Sequence, residues 1–321
     1  MVMVSEHCRD CGRCFCNAPA TIPHTPPLTP YPLYNPGRLK PFFHTMPQTL
    51  DQWLQACPLP KNEARMLLQH AGGYTRAQLV TRGQEPLPDT VAAAADALAE
   101  RRIRGEPVAY ILGTREFYGR MFQVDGSVLI PRPETEHLVE AVLEHLPQGG
   151  SVWDLGTGSG IIAVTVALER PDARVCASDI SPRALQTAAA NARALGACIG
   201  FACGSWFDAL RPSEHRRFDI IVSNPPYIEA GDRHLQQGDL RFEPQNALTD
   251  FSDGLSAIRI LARGAGRRLK EGGLLLLEHG CSQGAAVRAL FAQNGFAQVE
   301  TQQDLAGLDR LTLGRLKAAA A

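Results

Sequence analysis

Three short stretches carry residue types and spacings that could do chemistry. The first is Asp154-Leu155-Gly156-Thr157-Gly158-Ser159-Gly160, which closes an apolar run. Glycines let a ligand approach the backbone, and a helix opening behind them offers free N–H groups. A dinucleotide fingerprint wants G-x-G-x-x-G, but the position that should close it holds Ile161. Gly156-x-Gly158-x-Gly160 suits instead a nucleoside without a pyrophosphate, such as S-adenosylmethionine. The second is Asp179, an acidic residue about 20 positions further on, which can accept hydrogen bonds from both hydroxyls of a ribose. Capping the next helix is better left to Ser181 and Pro182. The third is Asn224-Pro225-Pro226-Tyr227. Two successive prolines fix the chain and remove two backbone donors. Carbonyls in such a loop are free to accept from a guest, and a planar NH2 group fits. Its two hydrogens can meet the Asn224 side-chain oxygen and the Pro225 carbonyl, while Tyr227 covers one face. Trp206, in Gly204-Ser205-Trp206-Phe207, could flank an adenine or cover a sheet edge as a core residue. Position alone leaves both open.

These stretches sit at the ends of predicted strands. After Gly150 the sequence alternates between strands and helices. Strands are expected at Ser151–Leu155, Arg174–Ser178, Ile199–Cys203, Phe218–Ser223, Gly273–Glu278, Ala297–Thr301 and Arg310–Leu313. Helices are expected at 159–169, 182–195, 254–270 and 283–294, with another at about 134–146. This order predicts an α/β fold, an open, Rossmann-like doubly wound sheet with helices on both faces. In such sheets ligands bind at the carboxyl ends of strands, where all the residues above fall.

Residues 46–114 read as a helical domain. Leu50, Trp53 and Leu54 share one face, as do Ala64, Leu67, Leu68 and Ala71. Thr75 and Gln78 form a capping box for a third helix, and Asp89 can cap a fourth. On that fourth helix Val91, Ala94, Ala95, Leu98 and Ile103 are expected to face the core, with Gly105 and Pro107 ending it. Residues 115–133 are expected to form a connecting β-hairpin turning at Asp125-Gly126, and 134–321 the sheet domain.

Residues 1–45 stand apart. They hold eight prolines and no hydrophobic period, so they cannot bury enough surface to offset their ordering entropy. Cys8, Cys11, Cys14 and Cys16 have metal-like spacing, yet the segment reads as a disordered or non-native leader ahead of Met46, and no metal site is assigned.

Composition narrows the function. Lys plus Arg number 32 and Asp plus Glu 33, for a net charge of -1. A protein living on nucleic-acid phosphates would normally carry a basic excess, so no direct nucleic-acid partner is expected. No apolar run approaches the roughly 18–20 residues that span a bilayer, and no secretory signal precedes Met46. No membrane partner is expected, and the cytoplasm is the expected compartment.

The glycine motif, the acidic strand end and the Asn-Pro-Pro-Tyr loop, in this order, resemble class I S-adenosylmethionine-dependent methyltransferases acting on planar amino or amide nitrogens. Further runs narrow the match: Gly105-Glu106-Pro107, Gly113-Thr114-Arg115-Glu116-Phe117, Ile130-Pro131-Arg132-Pro133-Glu134-Thr135-Glu136, Leu235-Gln236-Gln237-Gly238-Asp239, Arg241-Phe242-Glu243-Pro244 and Leu277-Glu278-His279-Gly280. From about Met46 to Lys317 the chain is similar to the HemK-type peptide chain release factor N(5)-glutamine methyltransferases. The resemblance implies a substrate, the glutamine of the Gly-Gly-Gln loop of class-one release factors, whose methylation modulates translation termination. It also implies roles. Gly156, Thr157, Gly158, Ser159, Gly160, Asp179 and Trp206 would hold S-adenosylmethionine. Asn224 would contact both cofactor and substrate, and Pro225, Pro226 and Tyr227 would complete the glutamine pocket. The helical domain would recognise the protein substrate.

Three other functions fit parts of the pattern. A sibling activity methylates a glutamine of a large-subunit ribosomal protein, but the runs at 130–136 and 241–244 fit the release-factor branch better. A base-amine methyltransferase would need base flipping and a basic recognition region, whereas residues 46–105 are nearly charge-balanced. A non-catalytic binding protein would leave the intact Asn224–Tyr227 loop without a purpose. Glu243 is open between loop positioning and a salt bridge to a nearby arginine such as Arg241.

Overall fold

The computed structural model describes residues 49–211 and 216–318. The proposed leader, with its four cysteines, lies outside the described residues. The rest form two compact units that divide between Gly113 and Thr114.

The first unit is a bundle of five helices: α1 (Leu50–Ala56), α2 (Lys61–Gly72), α3 (Arg76–Thr81), α4 (Asp89–Ile103) and α5 (Val108–Leu112). Capping boxes at Thr49/Gln52 and Thr75/Gln78 start α1 and α3. Leu50, Trp53, Ala64, Leu67, Leu68 and Leu79 fill the core. Two expectations change here. Pro88, not Asp89, is the N-cap of α4, and Asp89 lies in its first turn, where a carboxylate complements the helix dipole. The buried stripe of α4 is Ala92, Ala95 and Ala99, with Ile103 exposed. Alanines at this spacing let α4 lie close to α2, and an Arg102–Glu63 ion pair at 2.7 Å joins the two. α4 ends ahead of Gly105 and Pro107, as expected, and Pro107 then opens a further short helix. It is the N-cap of α5, a place where proline's missing N–H costs nothing.

The second unit opens with a hairpin of β1 (Thr114–Phe117) and β2 (Arg120–Gln123). Its turn is Tyr118-Gly119, not Asp125-Gly126. Tyr118 and Gly119 have φ of 51° and 72°, as a two-residue hairpin turn requires. Asp125 instead closes a separate turn, its carboxylate accepting from the Ser127 N–H at 2.8 Å. Phe117 and Phe122 anchor the hairpin in the core, their rings edge-on at 6.1 Å.

The sheet domain continues with α6 (Thr135–His145), β3 (Ser151–Leu155), α7 (Ile161–Glu169), β4 (Arg174–Asp179), α8 (Pro182–Leu195), β5 (Ile199–Cys203) and β6 (Phe218–Ser223). Then come α9 (Gln245–Leu248), α10 (Ser256–Ala265), β7 (Leu269–Glu278), α11 (Gly284–Gln293), β8 (Phe296–Gln303) and β9 (Asp309–Leu316). The seven strands run in the order β5-β4-β3-β6-β7-β9-β8. β3 to β7 are parallel and β9 is antiparallel to both its neighbours.

Side-chain alternation along each strand divides the core. Val152, Val175, Ile220 and Leu274 pack beneath α6 and α7. Trp153, Cys176, Ile221 and Leu275 pack beneath α10 and α11. Burial on both faces explains why these strands read as continuous apolar runs. The chain leaves β3 toward β4 on one side, and β6 lies on the other. This is a topological switch point, and the crevice at the strand carboxyl ends is the expected ligand site. Among the described residues, no helix is long and apolar enough to cross a membrane.

Candidate active site

A cavity of roughly 350 Å³ opens at the switch point. The turn after β3 forms its floor. The Gly156 and Thr157 N–H groups both donate to the Ser178 carbonyl, at 2.8 and 2.9 Å, tying this turn to the end of β4. Gly156, Gly158 and Gly160 all have positive φ, which explains three glycines in five residues. At Gly156 a Cβ would also sit 3.5 Å from the Trp206 ring, and at Gly160 one would sit 3.1 Å from Ala188.

Asp179 ends β4 at the cavity wall. One carboxylate oxygen accepts from the Gly158 N–H at 2.9 Å and the other from the Ser181 N–H at 2.8 Å. Burial raises its pKa, and these hydrogen bonds oppose the rise. Trp206 lines the cavity and also packs against the core beneath α10.

The cavity lining includes Gly156, Thr157, Gly158, Ser159, Asp179, Trp206, Asn224 and Pro226. Gly160, Pro225 and Tyr227 do not line it. Gly160 is the N-cap of α7. Pro225 is buried, and its carbonyl accepts no hydrogen bond among the described residues. Tyr227 turns its hydroxyl to Glu278 at 3.3 Å.

Asn224 follows β6. The preceding Ser223 fixes the register by donating to the Leu155 carbonyl at 2.6 Å. Asn224 Nδ2 donates to Thr135 Oγ1 at 3.1 Å, and its Oδ1 has no hydrogen-bond partner among the described residues.

Several wall residues carried no signal in the sequence. Val128 and Leu129 come from the segment after the hairpin. Asn246, Thr249, Asp250 and Phe251 come from the segment after β6. Asp250 organises that wall by accepting from the N–H groups of Ser252, Gly254 and Ser256. Glu243 holds the hairpin side of the site. Its partner is Arg132 at 2.5 Å, not Arg241, and it also accepts from the Ile130 N–H at 3.0 Å. The Arg241 guanidinium lies over the Phe242 ring instead.

Two buried acids lie beneath the site. Asp154 accepts from the Thr157 hydroxyl at 2.6 Å, and its Oδ1 has no hydrogen-bond partner among the described residues. Burial pushes Asp154 up to about 7. Glu278 accepts from the Thr135 hydroxyl at 2.8 Å and is likewise pushed up by burial to about 7.

The strand order and this carboxyl-end cavity define a class I S-adenosylmethionine-dependent methyltransferase. Comparison with known proteins gives the family. The description "PrmC N-terminal domain" matches residues 49–113 and "Methyltransferase small domain" matches residues 134–240. A release factor glutamine methyltransferase of Neisseria gonorrhoeae is 70% identical over 267 residues, covering 83% of this chain and 97% of its own. Proteins of the same name from Burkholderia pseudomallei and Escherichia coli are 50% and 43% identical, covering 84% and 85% of this chain and 97% and 98% of their own. The chain belongs to the release factor glutamine methyltransferase family.

Proposed function

We propose that this chain uses S-adenosylmethionine to methylate the side-chain amide nitrogen of a glutamine in a peptide chain release factor. The substrate reading extends to the Gly-Gly-Gln loop of class-one factors, with modulation of translation termination in the cytoplasm as the consequence. The observation that carries it is Asn224: a cavity-lining residue whose Nδ2 donates to Thr135 and whose oxygen has no hydrogen-bond partner among the described residues. A cavity-lining acceptor without a partner among the described residues suits the NH2 group of an amide.

The site fits the cofactor. Glycines with positive φ keep side chains out of the floor, Asp179 offers a carboxylate to a ribose, and Trp206 offers a ring to an adenine. When bound, S-adenosylmethionine supplies an activated methyl group on a sulfonium sulfur. An amide nitrogen is a weak nucleophile because its lone pair is delocalised into the carbonyl. The chain therefore has to hold that nitrogen in line with the methyl carbon. Positioning of this kind lowers barriers by about 7–11 kcal/mol. As the N–C bond forms and the S–C bond breaks, positive charge grows on nitrogen. Asn224 Oδ1, accepting one of its hydrogens, stabilises that charge. The extra proton leaves to water after transfer, so no general base is assigned.

Replacing Asn224 tests this. Asn224→Ala should lower kcat about 10²–10³-fold, as deletion of one preorganised dipole does. The assay is single-turnover transfer of labelled methyl to an intact release factor, with a ribosomal protein and DNA as parallel acceptors. Parental turnover by a folded Asn224→Ala, or preferential labelling of another acceptor, refutes the reading.

A further inference from the structure

An asparagine side chain has nearly the same shape either way round. Asn224 can receive an amide only if its oxygen faces the cavity, so something must select that orientation. A buried chain of hydrogen bonds behind the site does so. Asn224 Nδ2 donates to Thr135 Oγ1 at 3.1 Å, and the Thr135 hydroxyl donates to Glu278 Oε2 at 2.8 Å. The remaining oxygen of Glu278 receives the Tyr227 hydroxyl at 3.3 Å. Thr135 and Glu278 are 0% and 1% exposed, in the first turn of α6 and at the last residue of β7. Neither lines the cavity.

The chain has a direction. A threonine hydroxyl carries one hydrogen, and here it is committed to the carboxylate. Only lone pairs face Asn224. They attract its NH2 group and would repel its carbonyl, so the oxygen is turned toward the cavity. The carboxylate end sets this polarity in its ionised form, because an ionised glutamate can only accept. A glutamine at 278 could donate to Thr135 Oγ1 instead. The threonine hydrogen would then be released toward Asn224, and the selection would be lost.

We propose that Thr135 and Glu278 are positioning residues for methyl transfer, which act through Asn224 by fixing which end of its amide meets the substrate. The proposal rests on the reading of Asn224 given above.

The test uses the full chain, saturating S-adenosylmethionine and an intact release factor. Thr135→Val keeps the shape without the hydroxyl, Thr135→Ser restores the hydroxyl, and Glu278→Gln keeps the shape without the fixed polarity. Thr135→Val and Glu278→Gln should each lower kcat about 10- to 100-fold, with cofactor affinity within about threefold of the parent. Thr135→Ser should stay within about threefold in kcat. Thr135→Val combined with Asn224→Ala should be no slower than Asn224→Ala alone, because both act through one contact. Parental turnover by folded Thr135→Val and Glu278→Gln overturns the proposal. So does an equal loss in Thr135→Ser and Thr135→Val, which would mark a packing effect, or additive losses in the double variant. If melts show that both Thr135→Val and Glu278→Gln fail to fold, the chain of bonds serves folding and the proposal falls. Near-parental turnover by Asn224→Ala sinks the reading of Asn224 itself. A large Asn224→Ala loss beside a silent Thr135→Val sinks only the relay.

Discussion

Replacing Asp179 separates cofactor grip from chemistry. Each oxygen of its carboxylate already accepts one backbone N–H, from Gly158 at 2.9 Å and from Ser181 at 2.8 Å. A carboxylate oxygen has two lone-pair directions, so one remains on each oxygen for a ribose hydroxyl. Hydrogen bonds to a charged group are worth about 1.5–3 kcal/mol each. Losing two weakens binding by about 3–6 kcal/mol, or about 10²–10⁴-fold in Kd. Asp179→Ala removes both. Asp179→Asn is not a mild substitute, since its NH2 must oppose one of the two backbone N–H groups and loosen the glycine turn. A carboxylate holding ribose would grip it equally before and during methyl transfer, so kcat at saturating cofactor should stay within about threefold of the parent. The side chain also predicts a direction with pH. Burial raises its pKa, and as pH falls through that raised value the carboxylate gains a proton and cofactor affinity drops. Isothermal titration with S-adenosylmethionine, single-turnover rates and a thermal melt decide the matter. An unchanged Kd in a folded variant, or a collapse of kcat at unchanged Kd, refutes the ribose assignment.

Two further predictions concern stability. Arg132→Ala strips the guanidinium from Glu243, whose side chain is 0% exposed, and should cost about 2–3 kcal/mol in urea unfolding, Arg132 itself being partly solvated. Glu243→Gln removes the charge together with its need for a partner and should cost less; the reverse order would contradict the ion-pair account. Burial places Glu278 at about 7 against an ordinary 4.5, so between those values the folded chain binds more protons than the unfolded one. Its contribution to stability is then present below about 4.5 and lost as pH rises through about 7. Glu278→Gln should flatten the fall of Tm across that window, and an unchanged slope would refute the burial argument.

The strands that build the site are legible because burial on both faces leaves unbroken apolar runs in the sequence. Ser151–Leu155 and Phe218–Ser223 fall where their composition places them. Turns are harder, because several segments compete for the same chemistry. Asp125-Gly126 is the stronger local signal, yet the hairpin turns at Tyr118-Gly119. The reason is tertiary: only that register puts both Phe117 and Phe122 into the core beneath α6. The bundle shows the same override. Ala95 is buried as expected and Val91 and Leu98 pack partly buried against the core, but close packing adds Ala92 and Ala99 to the stripe and leaves Ala94 and Ile103 exposed.

The site divides along the same line. Gly156–Ser159, Asp179 and Asn224 are legible at the cavity because the chemistry proposed for each is carried by its own backbone or side chain, so a few neighbouring residues declare it. What orients them is not local. Thr135 is 89 residues from Asn224, and Glu278 is 143 residues from Thr135. No spacing rule joins them. They meet only because β6 and β7 are parallel neighbours whose carboxyl ends lie together, with the start of α6 against them. Glu278 is costly to bury and acquires a purpose only beside the hydroxyl that faces Asn224. A buried acid at a strand's carboxyl end is therefore best read outward, by following its hydrogen bonds to the atom they leave unpartnered. Here that atom is Asn224 Oδ1, at the cavity where we place the substrate amide.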